Sequence, residues 1–216
     1  MFDDTLHRMK KPRPKAFSLF SGIGGFERAL HKEGFVPLLC SELDENARST
    51  LLRWIDKVGV SPLVEPDVTK IELPELSRRM GTRPGELDLI VGGPPCQSFS
   101  AIGKKESLRD SRGLLILEML RFAEAFMPQA VVVEQVRGLK NSKGPDGKKG
   151  GALELVLREF EKIGYETDWK VLRAADYGVP QLRDRLFIVA TREEEFRFPK
   201  PTHARKREFE KSERLF

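Results

Sequence analysis

Short apolar runs alternate with amphipathic stretches along this chain, and the alternation predicts an α/β fold. The run at 16–20 predicts a strand that ends in Ser21-Gly22-Ile23-Gly24-Gly25, after which Phe26, Ala29 and Leu30 recur at helical spacing. Residues 36–40 predict a second strand, followed by a helix that Asp44 can cap, with Ala47, Leu51, Leu52 and Ile55 along one face. A weak third strand falls at 62–64 and a strong fourth at 87–91, stopped by Gly92-Gly93-Pro94-Pro95. Residues 114–126 read as a helix, Val131-Val132-Val133 as a buried central strand, 138–151 as a glycine-rich loop and 152–163 as another helix. The strands at 169–174 and 185–190 are separated by a segment too short for a crossover helix, so they pair antiparallel. The order predicts an open, doubly wound, mostly parallel sheet with a terminal antiparallel strand pair. Ligands of such sheets sit at the carboxyl ends of the strands, near the switch in strand order.

Composition narrows the class. At 216 residues, 39% hydrophobic and 33% charged, the chain suits one globular domain that needs neither disulfide nor metal to hold it. No apolar run reaches the ~20 residues of a membrane span, and residues 1–15 are too polar for a signal peptide. The only cysteines are Cys40 and Cys96, which excludes a disulfide framework and a four-cysteine zinc site and points to a reducing, cytoplasmic setting without membrane or metal. The net charge of +5 comes from the two ends: residues 16–199 hold 27 basic against 28 acidic side chains. Residues 1–15 therefore read as a basic tail, 16–200 as the domain and 201–216 as a charged tail. Within the body, two stretches are locally basic and suit phosphate contact. One holds Lys104, Lys105, Arg109 and Arg112; the other holds Arg137, Lys140, Lys143, Lys148 and Lys149 against Asp146 alone.

The chemistry-bearing residues fall at strand ends. Glycines after the first strand allow close backbone approach to a ligand at a helix N-terminus, or simply a tight turn. Glu42, about 20 residues past the glycines, can accept from the two hydroxyls of a ribose, or cap a helix. Asp67 after the third strand can accept from an exocyclic amine, or cap a turn. Together they describe a nucleoside site, and the absence of a lysine after the glycines favours S-adenosylmethionine over a nucleotide polyphosphate. Cys96 follows two prolines on a stiffened backbone at the ligand edge, where a thiolate is the strongest neutral-pH nucleophile, whereas Cys40 reads as a small buried hydrophobe. Glu134 ends the three-valine strand, where desolvation would favour a carboxyl that donates a proton. Arg183 and Arg185 alternate on one face at the start of the last strand.

Taken in order, the segments 17–26, 41–44, 67–68, 93–100, 110–113, 134–136 and 177–187 resemble the catalytic domain of the cytosine-C5 DNA methyltransferases. The resemblance spans roughly 15–203, and Pro94-Pro95-Cys96-Gln97 joined to Gln181-Leu182-Arg183-Asp184-Arg185 is its most specific part. It implies an S-adenosylmethionine-dependent methyltransferase fold, a DNA modification system, and catalysis by Cys96, Glu134, Arg183 and Arg185 on a flipped-out cytosine. Cys96 would attack C6, Glu134 would hold N3 and the 4-amino group, Arg185 the O2 of the base, and Arg183 the base or its backbone. For the cofactor it implies Phe20, Ser21, Gly22, Gly24, Gly25, Glu42, Leu43, Asp67, Val68, Pro94 and Leu115. For DNA it implies Gln97, Ser98, Ser100, Lys104, Lys105, Arg109, Arg112 and Gln181, most of them on a loop over 98–112 that closes on the flipped nucleotide.

Two departures from the family pattern stand out. Leu43 offers less stacking area than the usual larger side chain. Gln135, one methylene longer, replaces the asparagine that ties the glutamate strand to the Pro-Cys loop, a change that retains the amide chemistry and leaves the arrangement of that tie open. Family members also continue past the Pro-Thr-His at 201–203 into a target-recognition region, then return a helix to the first domain. The residues after His203 are too few for either. The expectation is a recognition region or second subunit supplied from elsewhere, and a sheet face with apolar side chains exposed. The alternatives are a non-catalytic cofactor-binding fragment, or an RNA cytosine-C5 methyltransferase of the same architecture.

Overall fold

The computed structural model describes residues 12–95, 115–144, 146–193 and 195–203. In chain order they form β1 (Lys15–Leu19), α1 (Gly25–Lys32), β2 (Val36–Ser41), α2 (Glu45–Val58), β3 (Leu63–Glu65), α3 (Leu73–Met80), β4 (Leu89–Gly92), α4 (Ile116–Phe126), β5 (Ala130–Val136), α5 (Gly151–Lys162), β6 (Glu166–Arg173) and β7 (Asp184–Thr191). The strands make one sheet in the order β3-β2-β1-β4-β5-β7-β6. All pairings up to β5 are parallel, and β7 runs antiparallel to both β5 and β6. This is the doubly wound, mostly parallel sheet with a terminal antiparallel pair that the periodicity predicts. It is the fold of S-adenosylmethionine-dependent methyltransferases. Strand order reverses between β1 and β4, so the loops leaving those two strands open a crevice at the carboxyl edge.

Alternation along the parallel strands sends Phe17, Leu19, Leu39, Ile90, Val131 and Val133 into one core with α3, α4 and α5. Phe17 is fully buried and meets the rings of Phe122 and Phe126 edge-on, at 6.4 and 4.9 Å between centroids. On the other face, Cys40 packs with Leu51 and Ile55 of α2, and burial followed by the nearby Glu27 charge pushes its thiol well above the usual range. Asp44 caps α2 by accepting from the Ala47 amide at 2.7 Å, as the sequence suggests. Tyr165, entering β6, donates its hydroxyl to the Pro128 carbonyl at 2.8 Å and fixes α5 beside β5.

Several details differ from expectation. Helix α3 was not foreseen, although Leu73, Leu76 and Met80 recur at helical spacing and pack on the core; it is only eight residues long and carries Pro74 in its first turn. Strand β6 starts at Glu166, not 169, since an edge strand that opens on Glu166 and Asp168 has no apolar signal. Leu52 is exposed, because the buried stripe of α2 runs through Leu51 and Ile55 and position 52 falls about 100° off it. The stretch read as a loop contains a 3-10 turn, Arg137–Asn141. The apolar side chains expected to be exposed on the second sheet face are less so: Val91 and Val189 are buried, and Leu89, Val132 and Phe187 are half-buried. No helix among the described residues is long and apolar enough to cross a membrane.

Removing the Phe17 ring leaves a cavity between the sheet and α4. We expect Phe17→Ala to cost about 3–5 kcal/mol in urea unfolding, with an unchanged m-value. A loss below about 1 kcal/mol would show that α4 does not depend on this contact.

Candidate active site

The crevice at the switch point is built first by the turn after β1. Phe20 adopts a left-handed backbone (φ 58°), strained for a residue with a side chain, and Gly22 follows at φ 55°. The turn is held from behind, where the Ser21 amide donates to the Ser41 carbonyl at 2.8 Å and the Ser21 hydroxyl donates to the Ser18 carbonyl at 3.2 Å. Gly24 caps α1 at φ 91°, and a Cβ there would press on Arg28 and Leu51. Glu42 then joins two strand ends. Its Oε2 accepts from the Gly22 amide at 2.7 Å and its Oε1 from the Asp44 amide at 2.8 Å. Each carboxylate oxygen keeps a further lone pair for a ligand hydroxyl. Asp67 fulfils its turn-capping alternative: it accepts from the amide and hydroxyl of Thr69 at 3.1 and 2.7 Å, and the hydroxyl bond foremost lowers its carboxyl below the usual value.

Phe20, Gly22, Glu42, Leu43, Asp67, Val68 and Leu115 line one cavity of about 350 Å³. Ser41, Pro66, Gly93 and Pro95 line it too, although sequence reasoning assigned none of them to the cofactor. Ser21 and Gly24 are buried and Gly25 is exposed, and none of the three lines this cavity. Leu43 leaves 71% of its surface exposed, an apolar platform open to a flat ring. Apolar lining with carboxylates on the rim matches a cationic nucleoside, the chemistry of S-adenosylmethionine.

A second cavity, about 180 Å³, adjoins the first and is lined by Gly93, Pro94, Pro95, Glu134, Gln135, Val136, Arg183 and Arg185. Gly93 and Pro95 belong to both. Glu134 is partly buried here, and two cations face it: Oε1 lies 3.3 Å from Arg183 Nη2 and 3.2 Å from Arg185 Nε. Ion pairing is thus added to the partial burial of the strand end. Asp184, between the two arginines in sequence, turns the other way. It accepts from Arg173 Nε at 2.7 Å and Arg137 Nη1 at 3.0 Å, and these bonds, Arg173 first, hold its carboxyl down at about 2. A depressed folded-state value makes this pairing fully present above about pH 4 and lost only as pH falls toward 2, so the arginine frame is insensitive to pH near neutrality.

The tie from Gln135 is kept. Its Nε2 donates to the Pro94 carbonyl at 2.7 Å, fully buried, so the longer side chain reaches the same loop without rearranging away from it. Pro94 therefore serves the second cavity and not the first. Gln181 is exposed, its amide bonded to the Val179 carbonyl at 2.7 Å, and it lines none of these cavities. Cys96, Gln97, Ser98, Ser100, Lys104, Lys105, Arg109 and Arg112 lie outside the described residues. Arg173 escaped sequence reasoning, and so did the pairing of Asp184 with Arg173 and Arg137, since Arg137 was read only as part of a basic stretch and Asp184 only as a motif position. The acidic residue set between two arginines was the available signal.

Comparison with known proteins agrees with this geometry. The family profile described as C-5 cytosine-specific DNA methylase matches residues 15–215. Type II methyltransferase M.AquIA of Picosynechococcus is 40% identical over 199 residues, covering 88% of this chain and 77% of its own length. Type II methyltransferase M.DsaV of Dactylococcopsis salina is 32% identical over 198 residues, and this chain spans only 51% of it. A crystal structure of a Spodoptera frugiperda DNMT2 mutant shares the fold with a TM-score of 0.64 at 20% identity, covering 88% of this chain and 54% of its own.

Loss of the Glu42 carboxylate frees the Gly22 amide and removes the rim acceptors. Glu42→Ala should weaken S-adenosylmethionine binding by about 1–3 kcal/mol in calorimetry, roughly 5- to 150-fold. Unchanged affinity in a folded variant would make Glu42 a bystander.

Proposed function

This chain belongs to the C-5 cytosine-specific DNA methylase family, whose cofactor is S-adenosylmethionine, and from that premise we propose that it transfers a methyl group to C5 of a flipped-out cytosine in DNA. The observation that carries the proposal is the shared wall: Gly93 and Pro95 line both the nucleoside-sized cavity and the Glu134–Arg183–Arg185 cavity, and Cys96 follows Pro95 directly. Two reactants held on either side of one loop suit a nucleophile that the same loop carries.

Cytosine C5 is a poor nucleophile. In the proposed reaction the Cys96 thiolate adds to C6, forming an S–C6 bond and placing the electron pair on C5. Glu134 and the two arginines it pairs with offer acceptor and donors to N3, the 4-amino group and O2 of the base, so that negative charge does not accumulate on the ring. The cofactor supplies an electrophilic methyl group to C5. Water or another base then removes the C5 proton, and the S–C6 bond breaks to release the thiolate and restore the aromatic ring. A stacked base cannot reach this pocket, which makes flipping part of the proposal. Ser98 and its neighbours through Arg112 are assigned to phosphate contact and closure over the base.

The chain spans about half the length of M.DsaV and 77% of M.AquIA. Target recognition is accordingly assigned to further polypeptide, continuous with residues 201–216 or carried by a second subunit, and the working setting is cytoplasmic.

Given cofactor and the polypeptide that completes recognition, the protein should form a denaturation-stable adduct with DNA carrying 5-fluorocytosine at the target, since fluorine cannot leave as a proton does. Cys96→Ser should abolish the adduct. Trapping that survives Cys96→Ser would remove the proposed nucleophile, and a complete absence of trapping with wild-type protein would refute the reaction.

A further inference from the structure

The basic segment that follows β5 takes no part in either cavity. It leaves the sheet at the same carboxyl edge that presents Glu134, beginning with the 3-10 turn Arg137–Asn141, whose Leu139 is fully buried and which packs against β7 and α5. The chain then doubles back so that Lys143 and Lys149 face each other in an isolated antiparallel bridge. The Gly144 amide donates to the Lys148 carbonyl at 3.1 Å, the Lys148 amide to Asp146 Oδ1 at 3.0 Å, and the Gly150 amide to the Ser142 carbonyl at 3.1 Å. Its base is seated on the first turn of α5: a Cβ on Gly144 would stand 2.8 Å from the Gly151 carbonyl carbon, so only glycine permits this approach. The lysine pair therefore rests on a braced platform.

Two cations of the segment are spent within the fold, Arg137 on Asp184 and Lys148 on Glu154 at 3.3 Å. Lys140, Lys143 and Lys149 have no carboxylate partner among the described residues, and Lys143 and Lys149 are exposed. Like charges directly opposite each other across an antiparallel pair repel, and an anion between them relieves that repulsion. Lys143 and Lys149 are exposed on a turn, and none of the three lysines lines either cavity described above, so they do not form a closed site for a small anion. Spread, flexible point charges suit an extended polyanion.

We infer that Lys140, Lys143 and Lys149 hold backbone phosphates of duplex DNA beside the extruded base. The inference rests on the reading of the Glu134 cavity as the cytosine site, because that reading puts the duplex at this edge. Phosphate contact here is independent of sequence and fixes register, leaving target choice to other polypeptide.

The test is fluorescence anisotropy of a labelled duplex with the full chain from low to physiological salt, comparing wild type with Lys140→Gln/Lys143→Gln/Lys149→Gln and with the charge-keeping triple Lys→Arg variant. Basic tails contribute equally to all three proteins and cancel in the difference. The glutamine variant should bind more weakly on every duplex, with the slope of log affinity against log salt shallower by about 2–3, near 0.9 per lost phosphate contact. The arginine variant should keep the slope, and S-adenosylmethionine affinity should match wild type throughout. An unchanged slope, or no binding by wild type at low salt, overturns the inference. Adduct formation at 5-fluorocytosine without lysine dependence refutes this surface alone, whereas lysine-dependent DNA binding without any adduct refutes the proposed reaction and leaves the surface standing.

Discussion

One buried hydrogen bond, from Gln135 Nε2 to the Pro94 carbonyl, holds the site together. Pro94 and Pro95 have no amide hydrogens, so at these two positions the backbone leaving β4 can be tied to its neighbours only through carbonyl oxygens. Gln135, last inward-facing residue of β5, supplies the donor from within the core, where the bond is shielded from water. The β4–β5 ladder ends at the pair Gly92–Val133, and this bond carries the fixed spacing beyond the ladder to the shared wall of Gly93 and Pro95. Losing the donor while the carbonyl stays buried costs about 1–3 kcal/mol, enough to matter to a loop of this size.

Charge does the remaining positioning. Strand alternation at the start of β7 sends Arg183 and Arg185 to Glu134 and turns Asp184 to Arg173 and Arg137. Each carboxylate is thus bracketed by two guanidiniums, and the cationic surplus faces the cavity where an electron-rich ring would gain negative character. The glycine turn after β1 is organised by the same logic, with Glu42 accepting two backbone amides and so linking β1 to β2. In both places a carboxylate at a strand end holds backbone or cations first, and meets a ligand with the capacity left over.

Much of this was legible in the residues. Three valines before Glu134, the apolar run before Gly92 and the glycines after Phe20 mark strands and a turn by period and composition alone, because buried parallel strands are continuously apolar. Asp44 announced its helix by its own capping chemistry. What escaped depends on tertiary neighbours. Helix α3 is only eight residues with a proline in its first turn, β6 is a polar edge, and the half-buried state of Phe187 reflects packing that no period encodes. Glu134 was read as desolvated because its strand is apolar, and the ion pairs it makes with two arginines about 50 residues away in sequence were not read. Whether Gln135 could replace a shorter amide was likewise a question of reach, answered only by the 2.7 Å contact.

The central claim is that the crevice between β1 and β4 is the cofactor site and shares its wall with the base cavity. Backbone and side-chain amide NMR shifts during titration with S-adenosylhomocysteine test it most directly. The account predicts shifts at Gly22, Glu42, Leu43, Asp67 and Gly93, carried through the shared wall to the Gln135 side-chain amide, with Lys143 and Lys149 unmoved. Saturable shifts confined to β6 and β7, with Gly22 and Glu42 unaffected, would contradict it.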